Sequence, residues 1–153
     1  MTANITTRQA SLDDIDMLVP LFDAYRVFYQ QPADPALAHA FLHERMALRE
    51  SVIFLAESGT HERSASGFTQ LYPGFSSVSA RRLWILNDLF VLSDARGRGV
   101  GRALLERART HARRTGACRV TLSTAADNRN AQALYEDVGF QRDGDFFYTL
   151  AVD

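Results

Sequence analysis

Glycine and arginine alternate in one short stretch of this sequence, Arg-Gly-Arg-Gly-Val-Gly-Arg at residues 96–102. A run of apolar residues typical of a strand precedes the stretch, and a helical pattern follows it. Glycine lets a backbone approach a ligand closely because it has no Cβ. The first turn of a helix has N–H groups without intrahelical partners and attracts negative charge, and arginine suits phosphate. The stretch therefore predicts a loop that binds phosphate or pyrophosphate.

Several kinds of phosphate loop can be compared with this stretch. A Walker loop ends in Gly-Lys-Ser/Thr, but Arg102 follows Gly101 here and the sequence contains no lysine. A dinucleotide-binding fingerprint needs a third small residue, and Arg102 stands at that position. An ordinary turn before a helix also fits, since a short Gly-rich motif is by itself a weak signal. The spacing Arg96-x-x-Gly99-x-Gly101 matches neither of these motifs and fits a third class of phosphate loop better.

The composition is that of an ordinary globular protein, with 153 residues, 46% hydrophobic and 23% charged. This length predicts a single domain spanning residues 1–153. The net charge of −1 gives no reason to expect a nucleic-acid partner. We expect no metal site, because the chain has one cysteine and His39 and His43 lack a third ligand. No apolar run reaches transmembrane length, so we expect a cytoplasmic protein with no membrane contact.

Hydrophobic periodicity predicts a mixed α/β architecture around the loop. Two helices follow a first strand, and Pro20 is expected to kink or split the first helix, whereas Asp34 and Pro35 should begin the second. Strands are predicted at residues 5–10, 51–57, 65–72, 83–92, 120–123, 140–142 and 146–152, with a polar turn at 58–63 and helices at about 99–115 and 128–137. A helix connects the fourth and fifth strands, so these two are expected to run parallel.

This order of elements is that of the GNAT superfamily of acyl-CoA-dependent N-acyltransferases, and two motifs resemble it. The spacing Arg96-x-x-Gly99-x-Gly101 is similar to the superfamily's pyrophosphate loop. Asn128-x-x-Ala131-x-x-Leu134-Tyr135-x-x-x-Gly139-Phe140 looks like its second cofactor motif. The resemblance implies a mixed central sheet of about seven strands with helices on both faces, and an enzyme that uses acetyl-CoA without a metal.

The resemblance also implies which residues hold the cofactor. The backbone of the loop would surround the pyrophosphate, and the preceding strand would bind the pantetheine arm where two parallel strands splay apart. The Val91 N–H would face the thioester oxygen, a contact often worth about 3 kcal/mol. The implied cofactor contacts are Leu89, Phe90, Val91, Arg96, Gly97, Arg98, Gly99, Val100, Gly101, Arg102 and Asn128.

Two residues are candidates for proton transfer. The resemblance makes Tyr135 the general acid, since a thiolate leaving group needs a proton donor near neutral pH; a packed core tyrosine is the alternative. Asp88 is the best carboxylate for the base, acting directly or through water, and a structural acid within a strand is an equally good reading.

The acceptor site in this fold is usually built by the first two helices and their loop, so Tyr25, Phe28 and Tyr29 are candidate residues. Asn87, in the predicted fourth strand, is a further candidate because of a second resemblance. The strand around Asn87 is similar to that of diamine and small-amine acetyltransferases. Those enzymes typically carry an acid where Asn87 stands, which argues against a polyamine. The expected function is therefore acetylation of a primary amine of a small molecule. A non-catalytic acyl-CoA sensor and a protein acetyltransferase are alternatives, and a homodimer fits the fold.

Overall fold

A computed structural model describes residues 4–58 and 64–153 of the chain. These residues form two compact units, the first ending at Ser123 and the second spanning Thr124–Asp153. The first unit contains the sheet and three helices, and the second contains one helix. The polar turn predicted at residues 58–63 lies, from residue 59 onward, outside the described residues.

A mixed sheet of five strands is the centre of the first unit, in the order β1-β2-β3-β4-β5. The first four strands pair antiparallel, whereas β4 and β5 run parallel, as predicted from the helix between them. The strands are β1 (Ile5–Gln9), β2 (Val52–Ser58), β3 (Ala65–Ser76), β4 (Arg81–Val91) and β5 (Val120–Thr121).

The second helix begins where capping chemistry predicts. The Asp34 carboxylate accepts the Leu37 N–H at 3.0 Å, with Pro35 at the first helical position. Pro20 lies inside the first helix, which continues without a split. The helices are α1 (Ile15–Phe28), α2 (Pro35–Ala47) and α3 (Val100–Arg114) in the first unit and α4 (Arg129–Val138) in the second, with short 3-10 turns at Leu12–Asp14 and Ser93–Ala95.

Helices cover both faces of the sheet. Side chains of a strand alternate between the two faces, so a strand with apolar residues at successive positions needs a covering layer on each side. Ile53 and Leu55 of β2 pack in one core cluster with residues of α1 and α2. Phe54 points to the opposite face, where its ring lies 5.3 Å from that of His111 on α3. The predicted apolar stripe of α3 is buried, at Val100, Leu104, Ala108 and Ala112.

The sheet has fewer strands than predicted. Residues 140–142 and 146–152 were expected to form a closing hairpin, but residues 140–153 have no regular secondary structure, and Phe146 is 86% exposed. Alternating apolar residues favour a strand only when a neighbouring strand supplies hydrogen bonds. The expected end of β3 at Pro73 and Gly74 is also wrong. The strand continues to Ser76, with Pro73 opposite Trp84 and Gly74 opposite Leu83.

Candidate active site

A β-bulge in β4 organises the site. Gln70 of β3 lies opposite Asp88, but the next residue, Leu71, lies opposite Leu86. Asn87 is therefore an extra residue in β4 with no partner of its own in β3. An extra residue disrupts the ladder locally and changes the face on which the following side chains lie.

The bulge moves the even-numbered side chains of β4 from one face of the sheet to the other. Before it, the Trp84 ring lies 4.8 Å from His111 of α3. After it, the Phe90 ring lies 6.2 Å from Tyr25 of α1. Asp88 follows the bulge directly, and its carboxylate therefore lies on the α1 face, near Tyr25.

Asp88 is a buried carboxylate with amide donors on both of its oxygens. Its exposed fraction is 2%. Gln70 Nε2 donates to Oδ2, and Asn87 Nδ2 donates to Oδ1 at 2.8 Å. Burial raises the pKa of Asp88, because a charged group is disfavoured away from water, and the hydrogen bonds act against this rise. A carboxyl in such an environment can accept and hold a proton at a higher pH than an exposed one.

Two tyrosines lie beside this carboxylate. The Tyr25 hydroxyl lies 3.5 Å from the Asn87 carbonyl oxygen, close to Asp88. Burial and the charge of Asp88 raise the pKa values of both Tyr25 and Tyr72, and Arg45 opposes the rise at Tyr72. Both phenols therefore stay neutral near pH 7 and keep their protons.

Aromatic side chains extend from Tyr25 toward the surface. The ring of Tyr29 lies 5.0 Å from that of Tyr25 and 5.3 Å from that of Phe28. Phe28 and Tyr29 are 55% and 52% exposed. These three candidates for acceptor binding are thus contiguous and run from the buried carboxylate to solvent. Asn87 is exposed as well, although its side-chain amide donates to Asp88.

The backbone of β4 also changes direction at the bulge. Before it, the Trp84 N–H donates to the Arg119 carbonyl toward β5, whereas after it the Leu92 N–H donates to Ser66 of β3. Backbone groups of successive residues point to opposite edges, so those of Leu89 and Val91 lie on the edge away from β3. Strand β5 pairs only with Trp84 and Ile85. Among the described residues, this edge of β4 therefore has no strand partner beyond Ile85.

The Gly/Arg loop follows β4 and leads into α3. Gly97 and Gly99 have φ values of +72° and +88°, in the left-handed region that favours glycine. No atom lies within 4 Å of the position a Cβ would take at Gly97. The helix begins at Val100, and Ala103 donates to the Gly99 carbonyl at 3.0 Å. The loop and the first turn of α3 thus combine open space with backbone N–H groups, which suits a pyrophosphate.

Arg96 has a different position from the rest of the loop. Its Nε donates to the Val91 carbonyl at 2.9 Å, and its guanidinium lies 5.5 Å from the Phe28 ring centroid and 5.8 Å from that of Phe90. The Arg96 side chain therefore joins the end of β4 to the end of α1. Arg98 and Arg102 are exposed.

Comparison with known proteins identifies the family. A model of the acetyltransferase (GNAT) family matches residues 18–140. The chain belongs to the GNAT family of acetyltransferases. The uncharacterized N-acetyltransferase YhfO of Bacillus subtilis is 47% identical over 141 residues, which cover 92% of this chain and 93% of YhfO.

Solved structures support the same assignment. A structure described as a probable acetyltransferase is 44% identical, with a TM-score of 0.92 over 97% of this chain and 98% of that one. An aminoglycoside N-acetyltransferase solved in complex with CoA shares the fold at 18% identity, with a TM-score of 0.79 over 100% and 98% of the two chains. The predicted GNAT fold and acetyltransferase activity are confirmed, and GNAT enzymes use acetyl-CoA. The finer likeness to diamine acetyltransferases stays a prediction.

The second GNAT cofactor motif lies in the second unit. Asn128 begins α4, and its side-chain oxygen accepts the Ala131 N–H at 3.4 Å. The helix ends at Gly139, whose φ of +115° is again left-handed. The ring of Tyr135 lies 5.9 Å from that of Phe140, and Tyr135 is partly buried. The roles of Asn128 and Tyr135 toward the cofactor stay predictions.

Sequence reasoning missed two residues of this GNAT site. Gln70 and Tyr72 were assigned only to a strand, although both face Asp88. A glutamine within the apolar run Phe68–Tyr72 was the available signal, since a fully buried amide needs a polar partner. In the described parts of the chain, no group of three or more His, Cys, Asp or Glu could hold a metal ion, and no helix could span a membrane.

Proposed function

We propose that this chain transfers the acetyl group of acetyl-CoA to a primary amine of a small molecule by direct attack on the thioester. The observation that carries the proposal is the buried Asp88 carboxylate, which follows the bulge and lies next to the open edge of β4. The reaction needs a base, because the amine must lose a proton. It also needs a strand edge that holds the cofactor, because the amine must attack a thioester carbonyl held nearby.

The cofactor supplies an activated acetyl group and a thiol leaving group. The loop N–H groups between Arg96 and Arg102 would hold its pyrophosphate. The backbone groups of Leu89 and Val91 would bind the pantetheine arm along the open edge, with the Val91 N–H donating to the carbonyl oxygen that becomes negative during attack. Asn128 would contact the arm, and the Tyr135 hydroxyl would protonate the departing sulfur.

The acceptor would bind between the ends of α1 and β4. Tyr25, Phe28 and Tyr29 offer ring faces that can lie against a cationic amine, and Asn87 offers a polar group at the same end. Asp88 would take up the proton that the ammonium must lose. The aromatic run from buried to exposed positions supports an amine acceptor, because its ring faces lie between the carboxylate and solvent and can hold a cation.

The test combines binding and turnover. Calorimetric titration of the purified protein with acetyl-CoA should give micromolar affinity. A thiol-release screen over polyamines, amino acids and aminoglycosides should then give turnover with one class of amine. Release only with a protein substrate, or with none of these amines at saturating acetyl-CoA, would contradict a small-amine acceptor. Failure to bind acetyl-CoA would contradict the assignment of the loop.

A further inference from the structure

A positive charge lies among the aromatic residues at the proposed acceptor site. The Arg96 guanidinium is 5.5 Å from the Phe28 ring centroid and 5.8 Å from that of Phe90. The Phe90 ring lies 6.3 Å from that of Phe28 and 6.2 Å from that of Tyr25. Arg96 is exposed, as is Phe28. The guanidinium is therefore part of the same surface as the aromatic run that leads from Tyr25 to solvent.

One nitrogen of this guanidinium holds the side chain in place. Arg96 Nε donates to the Val91 carbonyl oxygen at 2.9 Å. Within residues 4–58 and 64–153, no carboxylate lies within ion-pair distance of Arg96, and neither of its Nη groups donates a hydrogen bond. Arginine binds a carboxylate through two parallel N–H···O bonds. Because the Nε bond and the ring contacts already restrict the side chain, it loses little freedom when it binds an anion.

The two ends of the aromatic run carry opposite charges. At the buried end, the Asp88 carboxylate lies close to Tyr25. At the exposed end, the Arg96 guanidinium lies against Phe28. An acceptor with only positive groups would approach this guanidinium as a like charge, which costs free energy. An acceptor that carries a negative group beside its amine matches both ends.

We infer that the acceptor is an amino acid or a related amine that carries a carboxylate, and that Arg96 binds this carboxylate through its two Nη groups. The inference rests on the proposed function, because it names the class of amine on which that function acts. The amine would lie toward Tyr25 and Asp88, and the carboxylate toward Phe28. A single guanidinium balances a single negative charge, which favours a carboxylate over a doubly charged phosphate.

The pyrophosphate of acetyl-CoA is the other anion that Arg96 could bind, and the positions of the rings favour the acceptor. Phe28 belongs to α1, and the Phe90 ring lies on the α1 face after the bulge. The N–H groups proposed for the pyrophosphate lead into α3, which covers the opposite face. The guanidinium therefore lies on the face where the acceptor is proposed to bind.

Pairs of acceptors that differ only in the carboxylate test this inference. Each amino acid of the screen, in both enantiomers, is compared with the amine formed by removing its carboxylate, for example phenylalanine with phenethylamine. With the wild type, kcat/KM should be about 10- to 100-fold higher for the amino acid, the factor that hydrogen bonds to a charged group contribute. The difference should lie mainly in KM, because the carboxylate is bound equally in the ground state and the transition state.

The Arg96→Gln variant tests the residue itself. A glutamine amide can still donate to the Val91 carbonyl, but it has neither the charge nor the paired Nη groups. The ratio of kcat/KM between the paired acceptors should fall to about threefold or less, the size of a screened surface effect. Any effect on acetyl-CoA cancels in this ratio, since both acceptors use the same cofactor. The matched control is Arg142→Gln, which removes an equal charge at an exposed position outside the site and should keep the wild-type ratio.

The outcomes separate this inference from the proposed function. Equal kcat/KM for the two members of each pair in the wild type overturns the inference without any variant. An unchanged ratio in Arg96→Gln also overturns it, and a simultaneous loss of acetyl-CoA affinity would assign the guanidinium to the cofactor. In each of these cases, turnover of any amine still supports the proposed function. Absence of turnover with every amine and amino acid overturns both.

Discussion

Replacing Gln70 with leucine tests whether Asp88 is the group that must lose its proton before catalysis. Gln70 Nε2 donates to Asp88 Oδ2 inside the protein, where both side chains are fully buried. A hydrogen bond to a charged group contributes about 1.5–3 kcal/mol, and one pKa unit corresponds to 1.36 kcal/mol. Asn87 still donates to the carboxylate after the change. We therefore expect the lower end of this range, a rise of about one pKa unit at Asp88.

The assay is kcat/KM for one acceptor amine as a function of pH. A base is active when deprotonated, so the rate falls as the pH falls through its pKa, and a higher pKa moves this acid limb to higher pH. Use of one acceptor for every variant cancels the titration of the amine itself. Gln141→Leu is a matched control, because Gln141 is exposed, and its limb should coincide with that of the wild type.

An unchanged acid limb in Gln70→Leu, or one moved to lower pH, would refute the assignment of Asp88 as proton acceptor. Loss of the fold is not expected to obscure the result. Gln70 Oε1 is buried without a hydrogen-bond partner among the described residues, and leucine removes this unfavourable acceptor together with the donor. A melting temperature within a few degrees of the wild type would verify that the variant is folded.

Three further changes probe the site and its framework. Asp88→Asn should abolish most turnover yet raise the melting temperature at pH 8. Burial raises the pKa of Asp88 in the folded state, so the charged carboxylate destabilises the fold as the pH rises above the ordinary carboxyl pKa. The gain in melting temperature should therefore vanish near pH 4, where the carboxyl is protonated in both states. Gly67→Ala should lower the free energy of unfolding in urea by about 1–3 kcal/mol, because the new Cβ would lie 2.6 Å from the Phe90 carbonyl oxygen; an unchanged midpoint would contradict this packing. Tyr135→Phe should reduce kcat at least about 100-fold with unchanged acetyl-CoA affinity by calorimetry, and undiminished kcat would remove Tyr135 as the acid.

Local chemistry made part of this structure predictable from the sequence. The left-handed glycines of the loop, the Asp34 cap and the buried stripe of α3 depend on residues close together in the chain. The same was true of the parallel pairing of β4 and β5, because a connecting helix requires it. The two motifs and the order of elements resemble those of the GNAT family, to which the chain belongs.

Features that depend on distant residues could not be predicted in this way. The bulge at Asn87 is a property of the register between β3 and β4, and nothing in the local pattern of β4 marks the extra residue. Gln70 was overlooked for the same reason, since its partner lies 18 positions further along the chain. The strand predicted at residues 146–152 is also wrong, although its alternating pattern suits a strand. Pairing with a neighbouring strand decides whether such a segment becomes one, and the local pattern does not reveal that pairing.

One inserted residue links the two halves of the proposed chemistry. Without Asn87, the regular alternation of β4 would leave the backbone groups of Leu89 and Val91 bonded toward β3 and would turn the Asp88 side chain toward α3. With it, the backbone edge for the cofactor and the carboxylate for the amine are set by the same change of register. Asn87 also donates its own side-chain amide to Asp88. The residue that redirects the carboxylate thereby helps to keep it charged, so the position of the base and its basicity depend on a single feature of the strand.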